Sequence, residues 1–160
     1  MKSYILLFPL FFFLQTGSCS DDSSGDDGGP LNDNFVSFLG ETNEASGGCN
    51  VESSSDAEFF CTYAGGYTSG GESFTIAVSH RGVCRTATFA MGDNANEAGT
   101  AQFILSIATS GVSTATYYGF TGTVNVTDTG IQSSIEFSGT VLNVETGDEE
   151  AIEGFIACAL

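Results

Sequence analysis

The chain has 160 residues, of which 20 are acidic and 3 are lysine or arginine, giving a formal charge of −17 and an isoelectric point near 4.1. A surface this acidic repels phosphate backbones and anionic headgroups and attracts cations, which argues against a nucleic-acid partner. One histidine and no Cys-x-x-Cys pair leave a zinc site without its usual ligand spacing, so no cofactor is expected beyond a hard cation such as calcium.

At the start of the chain Lys2 supplies a positive n-region, Ile5 to Leu14 form an apolar run interrupted by Pro9, and Thr16-Gly17-Ser18 place small residues before Cys19. A bilayer core needs about 20 apolar residues in a helix, so this run is too short to span one and reads as a removable signal, residues 1–18. Thr16 to Cys19 resembles a bacterial lipobox, although the leucine usual three positions before the cysteine is missing. The resemblance implies lipid attachment at Cys19 and a membrane partner through that anchor. Each buried methylene of the acyl chains adds about 0.8 kcal/mol, which makes such attachment effectively permanent. The competing reading is an ordinary secretory signal and a released protein.

Residues 19–30 are the lipidated cysteine and an acidic tether, with no apolar side chain from Ser20 until Pro30. This composition buries too little surface to offset chain entropy, and as a disordered coil it spans roughly 18 Å. The Ser20-Asp21-Asp22 run after Cys19 resembles the surface-export signal of Bacteroidota lipoproteins, which implies the outer leaflet of the outer membrane. Without Lys2 the mature chain sets Arg81 and Arg85 against twenty acidic residues, a formal −18. That balance also resembles the surface of a halophile's protein.

Residues 31–160 read as a single domain, long enough to bury about two-thirds of its unfolded surface. Period-two alternation and turn signals place strands at Phe35 to Leu39, Cys49 to Val51, Phe59 to Tyr67, Ser73 to His80, Ala87 to Met91, Ala101 to Thr109, Tyr117 to Thr127, Gln132 to Val144 and Ala151 to Cys158. The inward sets are Phe74, Ile76 and Val78; Phe103, Leu105 and Ile107; Phe120, Gly122, Val124 and Val126; and Ile131, Ile135, Phe137, Gly139 and Val141. No helical stripe exceeds two turns. The fold class is therefore all-β, an antiparallel β-sandwich by the uneven run lengths, with a small up-and-down or lipocalin-like barrel as the alternative.

Four cysteines remain in the domain: Cys49, Cys61, Cys84 and Cys158. An even number in an exported chain points to disulfides, and three connectivities are open. Cys49 with Cys61 would close a hairpin-sized loop, and Cys84 with Cys158 would tie the middle of the chain to the last strand.

The candidate sites are sparse. His80, Arg81 and Arg85 gather the domain's positive charge into six residues, an anion-receiving spot unless the arginines pair with the protein's own carboxylates. Asp93, Asn94, Asn96 and Glu97 on one turn, and Asp148, Glu149 and Glu150 on another, offer clustered oxygens suited to calcium, without EF-hand spacing. Asp128-Thr129-Gly130 matches the aspartic-protease tripeptide but occurs once, so it reads as a turn. No Gly-x-Ser-x-Gly elbow accompanies the lone histidine.

The last strands, Ile135 to Val141 and Ile152 to Phe155 around Thr146-Gly147, resemble the C-terminal end of a family of small Bacteroidota lipoproteins, with Val141 in place of the usual aromatic. The resemblance implies a cell-surface β domain and brings no activity. The expectation is a surface-anchored outer-membrane lipoprotein serving as a non-enzymatic binding or interaction module for an extracellular glycan or protein. A polymer hydrolase and a purely structural envelope protein are the alternatives.

Overall fold

The computed structural model describes residues 34–55, 58–129 and 132–159. The signal, Cys19 and the acidic tether lie outside the described residues, as do Gly130, Ile131 and the side chains of Cys49 and Cys158.

The domain is all-β. Among the described residues ten strands form it: β1 Phe35–Phe38, β2 Glu41–Glu44, β3 Ser46–Ser55, β4 Glu58–Ser69, β5 Glu72–Arg81, β6 Ala87–Gly92, β7 Thr100–Thr109, β8 Val112–Asp128, β9 Gln132–Asn143 and β10 Glu149–Ala159. They make one sheet in the order β2-β1-β10-β9-β8-β6-β7-β5-β4-β3, with β8 also pairing with β7. Of the two architectures the sequence allows, the strands take the barrel-like one, a single sheet curled until its ends nearly meet. At the closure β3 comes up against β10, where a Cβ on Gly47 would stand 2.2 Å from the Ala157 carbonyl oxygen.

Alternation fills the barrel. Phe74, Ile76 and Val78 of β5 face Phe103, Leu105 and Ile107 of β7, while Val124, Val126, Ile135, Phe137 and Val141 complete the interior from β8 and β9. Phe103 and Phe137 pack with ring centroids 5.1 Å apart. Among the described residues the apolar side chains of the sets read from the sequence are thus in the core, with one exception at Phe120, while Ile131 lies outside the described residues. Strand β2, Glu-Thr-Asn-Glu, carries no alternation; it forms because its backbone pairs with β1 and Thr42 shares a 2.7 Å hydroxyl hydrogen bond with Ser37.

Among the described residues a disulfide joins Cys61 to Cys84, with Cα atoms 5.0 Å apart, and this corrects both expected pairings. In the β3–β4 register Glu52, not Cys49, stands opposite Cys61. Cys49 lies three residues along β3, about 10 Å at the rise of a strand, beyond the Cα reach of a disulfide. After β5 the chain turns at Gly82, with φ +100°, and folds back so that half-buried Cys84 packs on the core beside Cys61.

Candidate functional site

One strand creates the site. β6 is the sheet's only parallel partner among the described pairings: Ala90, Met91 and Gly92 run alongside Thr100, Ala101 and Gln102 of β7. β6 also pairs with β8 at Thr123 to Val126, whereas β8 pairs directly with β7 from Val112 to Tyr118. The sheet therefore forks where the tip of β6 enters between β7 and β8. Only glycine fits this junction. A Cβ on Gly119 would lie 2.6 Å from Met91 Cγ and 2.9 Å from the Gly92 carbonyl oxygen.

Immediately after Gly119 the ladder to β9 slips. Gly119 is matched with Val141 and Thr121 with Thr140, so Phe120 has no partner. Such a bulge re-aims one side chain and shifts the alternation that follows. Tyr117 and Gly119 point inward before it and Val124 and Val126 after it, while Phe120 is turned outward with 51% of its surface exposed. This corrects the expectation that Phe120 joins the inward set. The signal was present in β8 as a change of apolar parity from odd to even within one strand.

Around the bulge lies a groove with a cavity volume of about 570 Å³. Tyr118, Phe120 and Leu142 supply aromatic and aliphatic lining, with Val144, 55% exposed, at one side. Tyr118 and Leu142 are cross-strand partners. Asp93 and Glu97 supply carboxylates, and no lysine or arginine lines the groove.

Each wall is held by its own hydrogen bonds. On the β6–β7 loop the Asn94 Oδ1 accepts the Asn96 N–H at 2.9 Å, the Glu97 carbonyl accepts from Thr100 N–H at 3.1 Å, and the Asp93 carbonyl accepts from Gln102 Nε2 at 2.8 Å. Buried Ala95 anchors that loop. On the β9–β10 turn the buried Asn143 accepts at Oδ1 from the N–H groups of Glu145 and Thr146, at 2.9 and 3.1 Å, which sets Val144 and Gly147 in place. Asn143 was not singled out by its sequence position.

The two acidic turns read separately from the sequence thus flank one groove. Asp93, Glu97 and Gly147 line it, while Asn94, Asn96 and Asp148 are exposed on the same loops and Glu149 and Glu150 pair with Leu142 and Val141. Among the described residues no three of His, Cys, Asp and Glu converge as they would around a metal ion.

The cationic trio does not form one surface. His80 is fully buried, stacked on Phe89 at 4.4 Å and near Tyr63 at 6.1 Å, while Arg81 and Arg85 are exposed. Burial holds the imidazole below its ordinary pKa of 6.5; a hydrogen bond with the Arg81 carbonyl opposes that shift and the Arg85 charge adds to it. A neutral, enclosed ring is not available to a surface anion. Asp128 is half-buried at the end of β8, where its backbone N–H donates to Thr86 Oγ1 and its carbonyl accepts from the same hydroxyl.

These features define an all-β, disulfide-bonded domain on a single forked sheet, with an apolar, acid-rimmed groove on its outer face. Family models, curated proteins and solved structures offer no match to the chain.

Proposed function

We propose that the protein is a lipid-anchored lipoprotein of the outer-membrane surface, attached at Cys19, whose β domain is a non-enzymatic binding module for an extracellular glycan or protein. The observation that carries the binding reading is Phe120, which the bulge in β8 turns out of the core and into a concave, partly apolar groove. Exposing half of a phenylalanine forgoes about half of the roughly 1.5–3 kcal/mol that its full burial gives, and an aromatic side chain lining a concave groove is what ligand sites use. The anchor reading rests on the small residues before Cys19 and the acidic run after it.

A hydrolase is the second reading, since Asp93 and Glu97 share the groove. A general acid at neutral pH calls for a carboxyl held in an apolar pocket, and no described carboxylate is buried. The binding reading is therefore favoured.

Two measurements test it. Wild-type protein should partition with detergent and Cys19→Ser should release it from the membrane; release of the wild type would remove the anchor. An amide chemical-shift screen of the full chain against neutral, cationic and anionic fragments should concentrate its responses at Met91 to Asp93, Tyr118 to Phe120 and Leu142 to Gly147. Responses scattered over the barrel, or absent from those residues, would remove the groove as a binding site.

A further inference from the structure

We infer that the occupant of this groove is a peptide segment presenting a lysine or arginine beside an apolar side chain. The inference rests on the groove being a ligand site and adds the chemistry of what it takes. Asp93 and Glu97 stand exposed at the groove with no cationic residue lining it, and the domain's basic residues, Arg81 and Arg85, are placed elsewhere. The groove offers carboxylates that the chain itself leaves without a countercharge there.

The surrounding chemistry suits one kind of partner. A guanidinium or ammonium can be accepted by a carboxylate through charge-assisted hydrogen bonds while lying over the Phe120 ring. Its methylene stem, or an adjacent apolar side chain, covers Leu142 and Val144. A formal charge of −17 over the chain concentrates cationic segments near such a site before contact. An acidic peptide is repelled by the same field. A second copy of the chain has only Lys2, Arg81 and Arg85 to offer against twenty acidic residues. A neutral oligosaccharide could stack on Phe120 and donate hydroxyls to the carboxylates, but it draws nothing from the net charge.

The test is calorimetric titration of the full chain in non-ionic detergent at about 150 mM salt, where exposed charges are screened beyond about 8 Å. The probes are a capped pentapeptide alternating arginine with leucine and phenylalanine, its glutamine counterpart, and a neutral glucose hexasaccharide. Arginine-peptide binding should weaken about tenfold or more in Asp93→Asn/Glu97→Gln, the loss of roughly one charge-assisted hydrogen bond, and about fivefold or more in Phe120→Ser, the loss of the ring face under the cation. Glu136→Gln/Glu153→Gln, outside the groove, should leave it unchanged. The inference is overturned if the glutamine peptide binds equally, if all variants bind the arginine peptide alike, or if it does not bind. Hexasaccharide binding that Phe120→Ser abolishes, with no groove-dependent arginine-peptide binding, would overturn the ligand class and leave the groove as a binding site. Loss of the fragment responses at the groove would instead remove the site itself.

Discussion

Gly119 rests against the backbone of Gly92: a Cβ on Gly119 would stand 2.9 Å from the Gly92 carbonyl oxygen and 2.6 Å from Met91 Cγ. This contact lets the tip of β6 enter between β7 and β8, and the bulge that exposes Phe120 follows it directly. Gly119→Ala should destabilise the domain by about 1–3 kcal/mol, the usual range for overpacking. Gly92→Ala should cost less, because its Cβ would meet only the Thr100 methyl, at 2.7 Å. Urea unfolding compares the two, and equal midpoints would show that the fork does not depend on the Gly119 contact.

His80 makes stability depend on pH. Its Nε2 is buried without a hydrogen-bond partner among the described residues, and its folded pKa lies below the ordinary 6.5. In that window the unfolded chain binds the proton that the folded chain refuses, so stability rises with pH. His80 contributes fully above about 6.5 and loses that contribution as pH falls through the lower folded value. His80→Phe, retaining a ring against Phe89, should flatten the unfolding free energy between about pH 7 and pH 5 relative to wild type. A variant as acid-sensitive as the wild type would assign the effect elsewhere.

The Cys61–Cys84 bond closes a loop with a sequence separation of 23. By loop-closure entropy it contributes about 3 kcal/mol, so Cys61→Ala/Cys84→Ala should unfold at correspondingly lower urea. Non-reducing peptide mapping checks the bond itself. A fragment linking Cys49 to Cys61 would contradict the β3–β4 register, which sets Glu52 opposite Cys61.

Asn34 stands in for a strand residue. Its side-chain amide donates to the Ala157 carbonyl at 3.2 Å and accepts the Ala157 N–H at 2.7 Å, while its own carbonyl accepts from Ala45 N–H at 2.9 Å. Asn34→Leu should leave both Ala157 groups without these partners and cost about 1–3 kcal/mol. Hydrogen exchange at Ala157 should accelerate well before the barrel core exchanges. Unchanged protection there would show that the amide is dispensable to the closure.

The strand content and the core were legible because burial leaves a local record: alternation in β5, β7 and β9 names Phe74, Ile76, Val78, Phe103, Leu105, Ile107, Ile135 and Phe137 as interior residues. β2 left no such record, since its four polar residues are held by pairing and not by burial. Asp93 and Glu97 were visible as turn acids, but nothing local placed Val144 and Gly147 beside them.

By itself, then, the sequence determined which residues face in or out wherever a strand keeps its period, and it determined the acidic, lysine-poor surface. Tertiary structure alone decided that the ten described strands form one sheet, that Cys61 meets Cys84, and that one unmatched residue in β8 turns Phe120 into a groove. The reason is the range of the interactions. Alternation is set by neighbours two residues apart, whereas register, closure and the meeting of two loops depend on pairings tens of residues apart, which short-range pattern does not encode.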